Sequence, residues 1–184
     1  MTKRDAILKA ADTLFSEQGY AMTGVDALAA AAGVTKRTLY KQFGSKEALF
    51  ADWLHIRDVQ TRTALLKTIE SLSDTPKGQL LALFDVLAML AKQPNFYGCP
   101  FSRALFEIGS AEAGYAVAAA HKQALGAWFA ERLTSAKVTN VPAMVEELMV
   151  LYEGVLQRMA VTRKADTALA AKQLFEIRLA SLAV

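Results

Sequence analysis

The 184-residue sequence contains one cysteine, two histidines and no long apolar run. Cys99 has no second cysteine with which to form an internal disulfide, which suits a reducing cytoplasm. His55 and His121 are far apart in the chain, so neither a zinc site nor a Cys–His nucleophile pair is indicated. No uncharged apolar stretch has the length that a bilayer requires, and no segment resembles a signal peptide. We therefore expect a cytoplasmic protein that has no metal and does not contact the membrane.

The sequence also lacks the alternation of apolar and polar residues that is typical of strands. Without a strand there is no place for a strand-to-helix glycine loop that binds phosphates. No grouping of residues suggests a nucleophile with its base, so the sequence predicts no catalytic residues, no cofactor and no enzyme. An all-helical acid–base enzyme remains an alternative, because it would carry no such motif.

Apolar residues recur at helical spacing throughout the chain and predict an all-α fold of about nine helices. Thr2 with Asp5 predicts a capping box at the start of the first helix, which Gly19 should end. Thr23 with Asp26 repeats the pattern for a short second helix. Later start signals are Thr35 for the third helix, Ser45 for a long fourth helix reaching about Leu72, and Asp166 for the ninth.

The net charge of +3 is concentrated at the N-terminus. Residues 1–46 contain seven basic and four acidic side chains, whereas the two signs balance in the rest of the chain. Four cations and no anion lie between Val34 and Lys46. Such a basic segment is typical of a polyanion partner or of a solvated helix face.

Residues 23–43 fit a helix-turn-helix, which needs two short helices joined by a tight turn. Gly33 permits the positive φ that such a turn demands. The third helix should be pinned by Leu39, Tyr40 and Phe43. Four side chains are then left facing outward, where they can bond to base edges: Lys36, Arg37, Lys41 and Gln42. Thr23, Thr35 and Ser45 begin helices, where hydroxyls and amides can bind phosphate.

At this point the sequence resembles the tetracycline-repressor (TetR) family. The resemblance rests on residues 23–50, above all on Ala31-Ala32-Gly33-Val34, on Thr38-Leu39-Tyr40, and on Phe43 followed by Ser45-Lys46-Glu47-Ala48-Leu49. It implies that Thr23, Thr38, Tyr40 and Lys46 hold the DNA backbone. It also places Lys36, Arg37 and Gln42 at the positions that read bases. The alternative for Tyr40 is a core aromatic.

The rest of the chain resembles a TetR-type regulatory domain at Gly98-Cys99-Pro100-Phe101, Glu107 and His121-Lys122. That resemblance implies a homodimer held by a four-helix bundle of the last two helices. The residues expected at this interface are Leu148, Leu151, Tyr152, Val155, Leu156, Met159, Leu174 and Ile177. The alternative is that these faces pack within one chain.

The same resemblance implies a cavity for a small-molecule inducer between helices four to eight. The expected lining residues are Phe84, Leu87, Phe101, Leu105, His121, Trp128 and Tyr152. Each of them could equally be plain core, and His121 a solvated or hydrogen-bonded histidine. Cys99 is either a redox sensor or, as we favour, a buried structural cysteine.

Together these features predict a DNA-binding domain in residues 1–46, connected by the fourth helix (about 45–72) to a ligand-binding and dimerisation domain in residues 47–184. The predicted function is that of a transcriptional regulator, in the family's usual mode a repressor, released from a near-palindromic operator by a small ligand. The alternative is an architectural or scaffold DNA-binding protein that responds to no ligand.

Overall fold

The computed structural model describes residues 1–110 and 112–181. These residues form nine α-helices and no β-strand, which confirms the all-α prediction. The first four helices are α1 (Lys3–Met22), α2 (Val25–Ala31), α3 (Lys36–Phe43) and α4 (Lys46–Leu72). The remaining five are α5 (Pro76–Ala91), α6 (Pro100–Glu107), α7 (Ala113–Ser135), α8 (Val141–Thr162) and α9 (Asp166–Ala180).

The chain divides into two compact units. The first unit takes in residues 1–60 and the described part of 99–122, and therefore contains α1, α2, α3, α6 and the beginnings of α4 and α7. The second unit takes in residues 61–98 and the described part of 123–184, with α5, α8 and α9. The unit that contains the three N-terminal helices thus extends well beyond residue 46.

Local capping follows the sequence in α1 and α3. The Thr2 hydroxyl accepts the Asp5 N–H while the Asp5 carboxylate accepts the Thr2 N–H, so the predicted capping box is confirmed. The hydrogen bond from the Thr2 backbone lowers the pKa of Asp5. Thr35 accepts the Thr38 N–H at the start of α3, as predicted. Gly33 has a φ of +63° in the turn between α2 and α3.

Three predicted helix boundaries are wrong. Gly19 does not end α1 but interrupts it with non-helical angles (φ 81°, ψ 179°), after which the helix resumes as far as Met22. Thr23 does not cap α2, because the N-cap position belongs to Gly24. Asp166 is the first residue inside α9, and Ala165 precedes it as the N-cap. At Gly19 the interruption coincides with contacts to Arg103 and Glu107, which are far away in the sequence.

An apolar core holds the first unit together. The Phe15 and Phe50 rings pack edge to face at a centroid distance of 4.9 Å, and the Phe15 ring also lies 5.4 Å from that of Trp53. The buried residues of this core are Ile7, Ala11, Phe15, Leu28, Leu39, Phe43, Leu49, Phe50, Trp53, Leu54, Phe101, Ala104, Ile108 and Ala118. Residues from α1, α2, α3, α4, α6 and α7 therefore share one core.

In the second unit α9 packs against α5 and α8. Phe84 and Phe175 meet at a centroid distance of 5.9 Å in its interior. Two ion pairs flank this packing: Lys172 bonds to Asp85 of α5 at 2.6 Å, and Arg178 bonds to Glu147 of α8 at 2.7 Å. The hydrogen bond from Arg178 lowers the pKa of Glu147.

Within the described ranges, none of the helices combines the length and apolarity that crossing a membrane would require. The same residues contain no cluster of three or more His, Cys, Asp or Glu side chains able to hold a metal ion.

Candidate nucleic-acid interface

Helix α3 has two chemically distinct faces. Leu39 and Phe43 are buried in the core of the first unit. Lys36, Arg37, Lys41 and Gln42 are exposed, as the sequence predicts. Because α3 contains no carboxylate, its outer face offers cations and an amide to a polyanion. These are the groups that bond guanine and adenine edges in a major groove.

Tyr40 lies on the outer side of α3, with 46% of its surface exposed. The alternative of a core aromatic is therefore wrong. Thr35 at the N-cap and Thr38 in the first turn of α3 have their hydroxyl oxygens 3.0 Å apart. A tyrosine hydroxyl and two threonine hydroxyls thus accompany the cations on this surface.

Without DNA, Lys36 forms an ion pair with Asp26. Its ammonium lies 2.7 Å from the Asp26 carboxylate, and both side chains are largely solvated. The hydrogen bond to Asp26 raises the pKa of Lys36, which keeps the side chain cationic. Exposed pairs of this kind contribute little to stability, so Lys36 can exchange its partner at small cost.

An open depression of about 410 Å³ adjoins the start of α3. It is lined by Lys3, Ala29, Ala30, Gly33, Val34, Thr35 and Thr38. Lys3, at the beginning of α1, is its only charged lining residue. Sequence reasoning missed Lys3, because no local pattern places the start of α1 beside the turn between α2 and α3.

Thr23 does not lie on the outer surface. Its side chain is completely buried, and its hydroxyl donates to the carbonyl of Gly19 at 2.6 Å. The same hydroxyl lies 3.3 Å from the carbonyl of Leu14. The assignment of Thr23 to the DNA backbone is therefore corrected: its hydroxyl is committed to the end of α1.

Lys46 also has an internal role that its basic character did not indicate. Its ammonium donates to the carbonyls of Tyr20 and Thr23, at 3.1 and 3.2 Å. It also lies 4.0 Å from the centre of the Tyr20 ring, close enough for a cation–π interaction. Two of its three donors are thus used before any phosphate arrives.

Tyr20 is itself held by α4. Its hydroxyl donates to Glu47 at 2.8 Å. Burial and this hydrogen bond raise the pKa of Tyr20. The pKa of Glu47 is lowered by its own backbone N–H and by the Tyr20 hydroxyl. Lys46 and Glu47 therefore join the beginning of α4 to the end of α1.

The residues expected around an inducer are divided between the two units. Phe101, Leu105 and His121 lie in the first unit. The buried His121 ring stacks on Phe101 at 3.7 Å, and its Nδ1 lies 2.7 Å from Asp58 Oδ1. Sequence reasoning missed Asp58, which is 63 positions from His121. The second unit contains Phe84, Leu87, Trp128 and Tyr152.

The predicted dimer surface needs correction on α8. Leu148, Tyr152, Val155, Leu156 and Met159 are all buried in the chain's own core, and Leu151 is half-buried. They offer little surface to a second copy of the chain. This agrees with the alternative that these faces pack within one chain. On α9, by contrast, Leu174 and Ile177 are 60% and 68% exposed.

The short helices α2 and α3, joined by a turn at Gly33 and pinned to α1, define a helix-turn-helix protein. Comparison with known proteins indicates which family of helix-turn-helix proteins the chain resembles. Residues 7–52 match the family model of bacterial regulatory proteins of the tetR family. An uncharacterised HTH-type transcriptional regulator of Mycobacterium tuberculosis is 30% identical over 90 residues, which are 49% of this chain and 45% of that protein. The match thus spans about half the length of the curated relative.

Solved structures resemble nearly the whole chain. A tetR-type transcriptional regulator of Streptomyces avermitilis is 25% identical and has a TM-score of 0.83, over 95% of this chain and 98% of that one. The TetR-family regulator CifR, in a cysteine mutant form with 26-base-pair operator DNA, is 21% identical, has a TM-score of 0.79 and covers 92% and 93% of the two chains. The N-terminal part of the chain thus matches the tetR family, and the fold of nearly the whole chain is that of solved TetR-family regulators. This similarity to a family of transcriptional regulators agrees with the expectation that the chain is not an enzyme.

Replacing Lys46 tests its internal role. Lys46→Ala should lower the free energy of unfolding by about 1–3 kcal/mol, because two partly buried carbonyls lose a charged donor. Lys41→Ala, which removes the same charge from an exposed position on α3, should leave the free energy unchanged. Urea denaturation followed by circular dichroism measures both variants. Equal stability of the two would contradict the internal role.

Proposed function

We propose that this chain is a sequence-specific DNA-binding transcriptional regulator that acts as a homodimer on a near-palindromic operator. The observation that carries the proposal is the outer face of α3, where Lys36, Arg37, Lys41 and Gln42 project from a helix whose apolar face is buried. The operator complex of the structurally similar CifR supports the proposal, and repression is the mode we favour. The proposal does not require Lys46 or Thr23 to contact the DNA backbone directly.

The proposal separates side chains that read bases from those that hold the backbone. Arg37 has the donor fork that bonds bidentately to guanine, and Gln42 has the amide that pairs with adenine. The Tyr40 hydroxyl and the hydroxyls of Thr35 and Thr38 suit phosphate oxygens, which carry no sequence information. Two copies of α3 would meet successive major grooves about 34–36 Å apart.

Substitutions in α3 test this separation. A duplex is first selected by the wild-type chain from a random library, and a scrambled duplex of equal composition serves as the reference. Arg37→Ala should cost about 1–3 kcal/mol on the selected duplex and relax preference at one base position in each half-site. Tyr40→Phe should weaken both duplexes alike. Fluorescence anisotropy at several salt concentrations measures both effects.

The matched control is Arg57→Ala, which removes an equal charge from α4, where Arg57 pairs with Asp12 at 3.1 Å. If Arg37→Ala and Arg57→Ala gave equal losses on both duplexes, the assignment of Arg37 as a base reader would be wrong. If the wild-type chain selected no DNA sequence from the library, the proposed function itself would be wrong.

The homodimer is proposed to form through exposed apolar residues of α8 and α9. Val150 of α8 is 70% exposed, alongside the exposed Leu174 and Ile177 of α9. The ion pair between Glu147 and Arg178 places these residues at a similar level of the two helices. An apolar patch of this kind is typical of a surface that a second copy covers.

Ile177→Glu should shift the chain toward monomer, because a two-fold interface would bury the new carboxylate without a partner. Met89→Glu, at a methionine of α5 that is 46% exposed, should leave the assembly state unchanged. Sedimentation velocity at micromolar concentration distinguishes the two. A wild-type chain that sediments as a monomer, or two variants that behave alike, would contradict the proposed interface.

Release of DNA by a small molecule is the remaining part of the proposal. The buried stack of His121 on Phe101, with Asp58 bonded to the imidazole, supports it, since ligand sites combine apolar walls with a few oriented polar groups. In a panel of apolar and cationic compounds, at least one should raise the melting temperature and weaken binding to the selected duplex. If none does so, the architectural alternative replaces ligand control.

A further inference from the structure

The interruption of α1 at Gly19 brings two side chains of α6 against its backbone. The Ala21 N–H, which in a continuous helix would bond to the carbonyl of Glu17, donates instead to Glu107 Oε2 at 3.0 Å. The Arg103 guanidinium donates to the carbonyl of Gln18 and lies 3.5 Å from that of Glu17. One donor and one acceptor from α6 thus serve backbone groups at the kink.

Arg103 and Glu107 are also bonded to each other. Arg103 Nε lies 2.6 Å from Glu107 Oε1, and the two residues are one turn apart on α6. This bond fixes the orientation of both side chains toward α1, because each group that meets the α1 backbone is held by the other. The planar guanidinium has donors left for the carbonyls after pairing with the carboxylate.

Gly19 is adapted to this arrangement. A Cβ atom at this position would fall on the Glu107 carboxylate and on the Arg103 guanidinium. In addition, its φ of +81° lies in the region that favours glycine. The absence of a side chain at position 19 therefore allows both the kink and the close approach of α6.

The kink leads directly into the helix-turn-helix. Four residues after Gly19, Thr23 bonds back to the Gly19 carbonyl, and α2 begins at Val25. From the other side, Lys46 at the start of α4 bonds to the carbonyls of Tyr20 and Thr23. The polar groups of residues 17–23 are thus tied to α6 on one side and to α4 on the other.

We infer that Arg103 and Glu107 are positioning residues for DNA binding, an inference that rests on the proposed function. By bonding to the backbone at the kink, they fix the direction in which the chain leaves α1 and therefore where α2 and α3 lie. Neither side chain needs to touch DNA. Replacing either residue should misplace α2 and α3. Contacts with base edges should then weaken more than the sequence-independent attraction to phosphates.

The test compares variants on the duplex that the wild-type chain selects and on its scrambled counterpart. Arg103→Ala should weaken binding to the selected duplex by roughly two- to thirtyfold, the range seen for substitutions that act through coupling. Its loss on the scrambled duplex should match that of Arg57→Ala, which removes an equal charge from another ion pair with α1. Glu107→Ala should reproduce the selective loss, whereas Glu107→Gln, which retains an acceptor for the Ala21 N–H, should restore most of the affinity.

Amide hydrogen exchange supplies a local readout. Exchange at Ala21 should accelerate about tenfold or more in Glu107→Ala, because the N–H loses its acceptor, while amides of α9 stay as in the wild type. If Arg103→Ala does not fold, Arg103→Lys is used in its place, since a single ammonium keeps the charge without the fork. It should show the same selective loss.

The outcomes are distinguishable. A wild-type chain that selects no duplex overturns the proposed function and this inference with it. A wild-type chain that selects a duplex, with Arg103→Ala binding it as tightly as Arg57→Ala does, overturns only this inference. Equal losses on the selected and scrambled duplexes, or equal losses for Glu107→Gln and Glu107→Ala, also overturn it.

Discussion

Helix α3 has eight residues, and a helix of that length does not persist in water, because too few hydrogen bonds offset the ordering of its backbone. It exists because Leu39 and Phe43 are buried with residues of α1 and α4. The Thr35 cap satisfies one amide at its start. The Arg4 guanidinium lies 4.6 Å from the Phe43 ring centre and adds a further contact at its end. The exposed residues of α3 are therefore not required to hold the helix in place.

The polar ties around residues 17–23 depend on the same constraint. A helix-turn-helix held only by apolar packing could tilt, since apolar contacts have little directional preference. Lys46 and Thr23 donate hydrogen bonds to specific backbone carbonyls, and Glu107 accepts one from the Ala21 N–H, which together remove that freedom. Apolar burial therefore holds α3 in place, and the polar ties fix the junction that orients it. This division explains why basic and acidic residues that look like surface groups in the sequence lie against the α1 backbone.

How much of this could be predicted depends on how far apart the interacting residues are in the chain. The capping box of Thr2 with Asp5 and the cap at Thr35 involve residues three positions apart, and both predictions are confirmed. The role of Lys46 depends on carbonyls 26 and 23 positions away, and that of Glu107 on an amide 86 positions away. No periodic pattern contains that information, so Lys46 resembles a free cation in the sequence.

The error on α8 has another cause. Helical periodicity identifies which residues share an apolar face, but it does not say what covers that face. Val155 and Met159 belong to such a face, and the chain's own core covers it. Ile177, which the sequence places at the dimer interface, is exposed because α9 is apolar on more than one side: Phe175 is buried while Ile177 is not.

The separation of duties within α3 bears on how such a regulator can change its operator. Arg37 and Gln42 contribute little to the core, so substitution there alters the groups offered to base edges without removing buried contacts. Substitution at Leu39 or Phe43, in contrast, removes the packing that makes α3 a helix at all. If α3 reads the operator as proposed, specificity can thus vary at the exposed positions while the buried positions and the polar ties at residues 17–23 keep α3 in place.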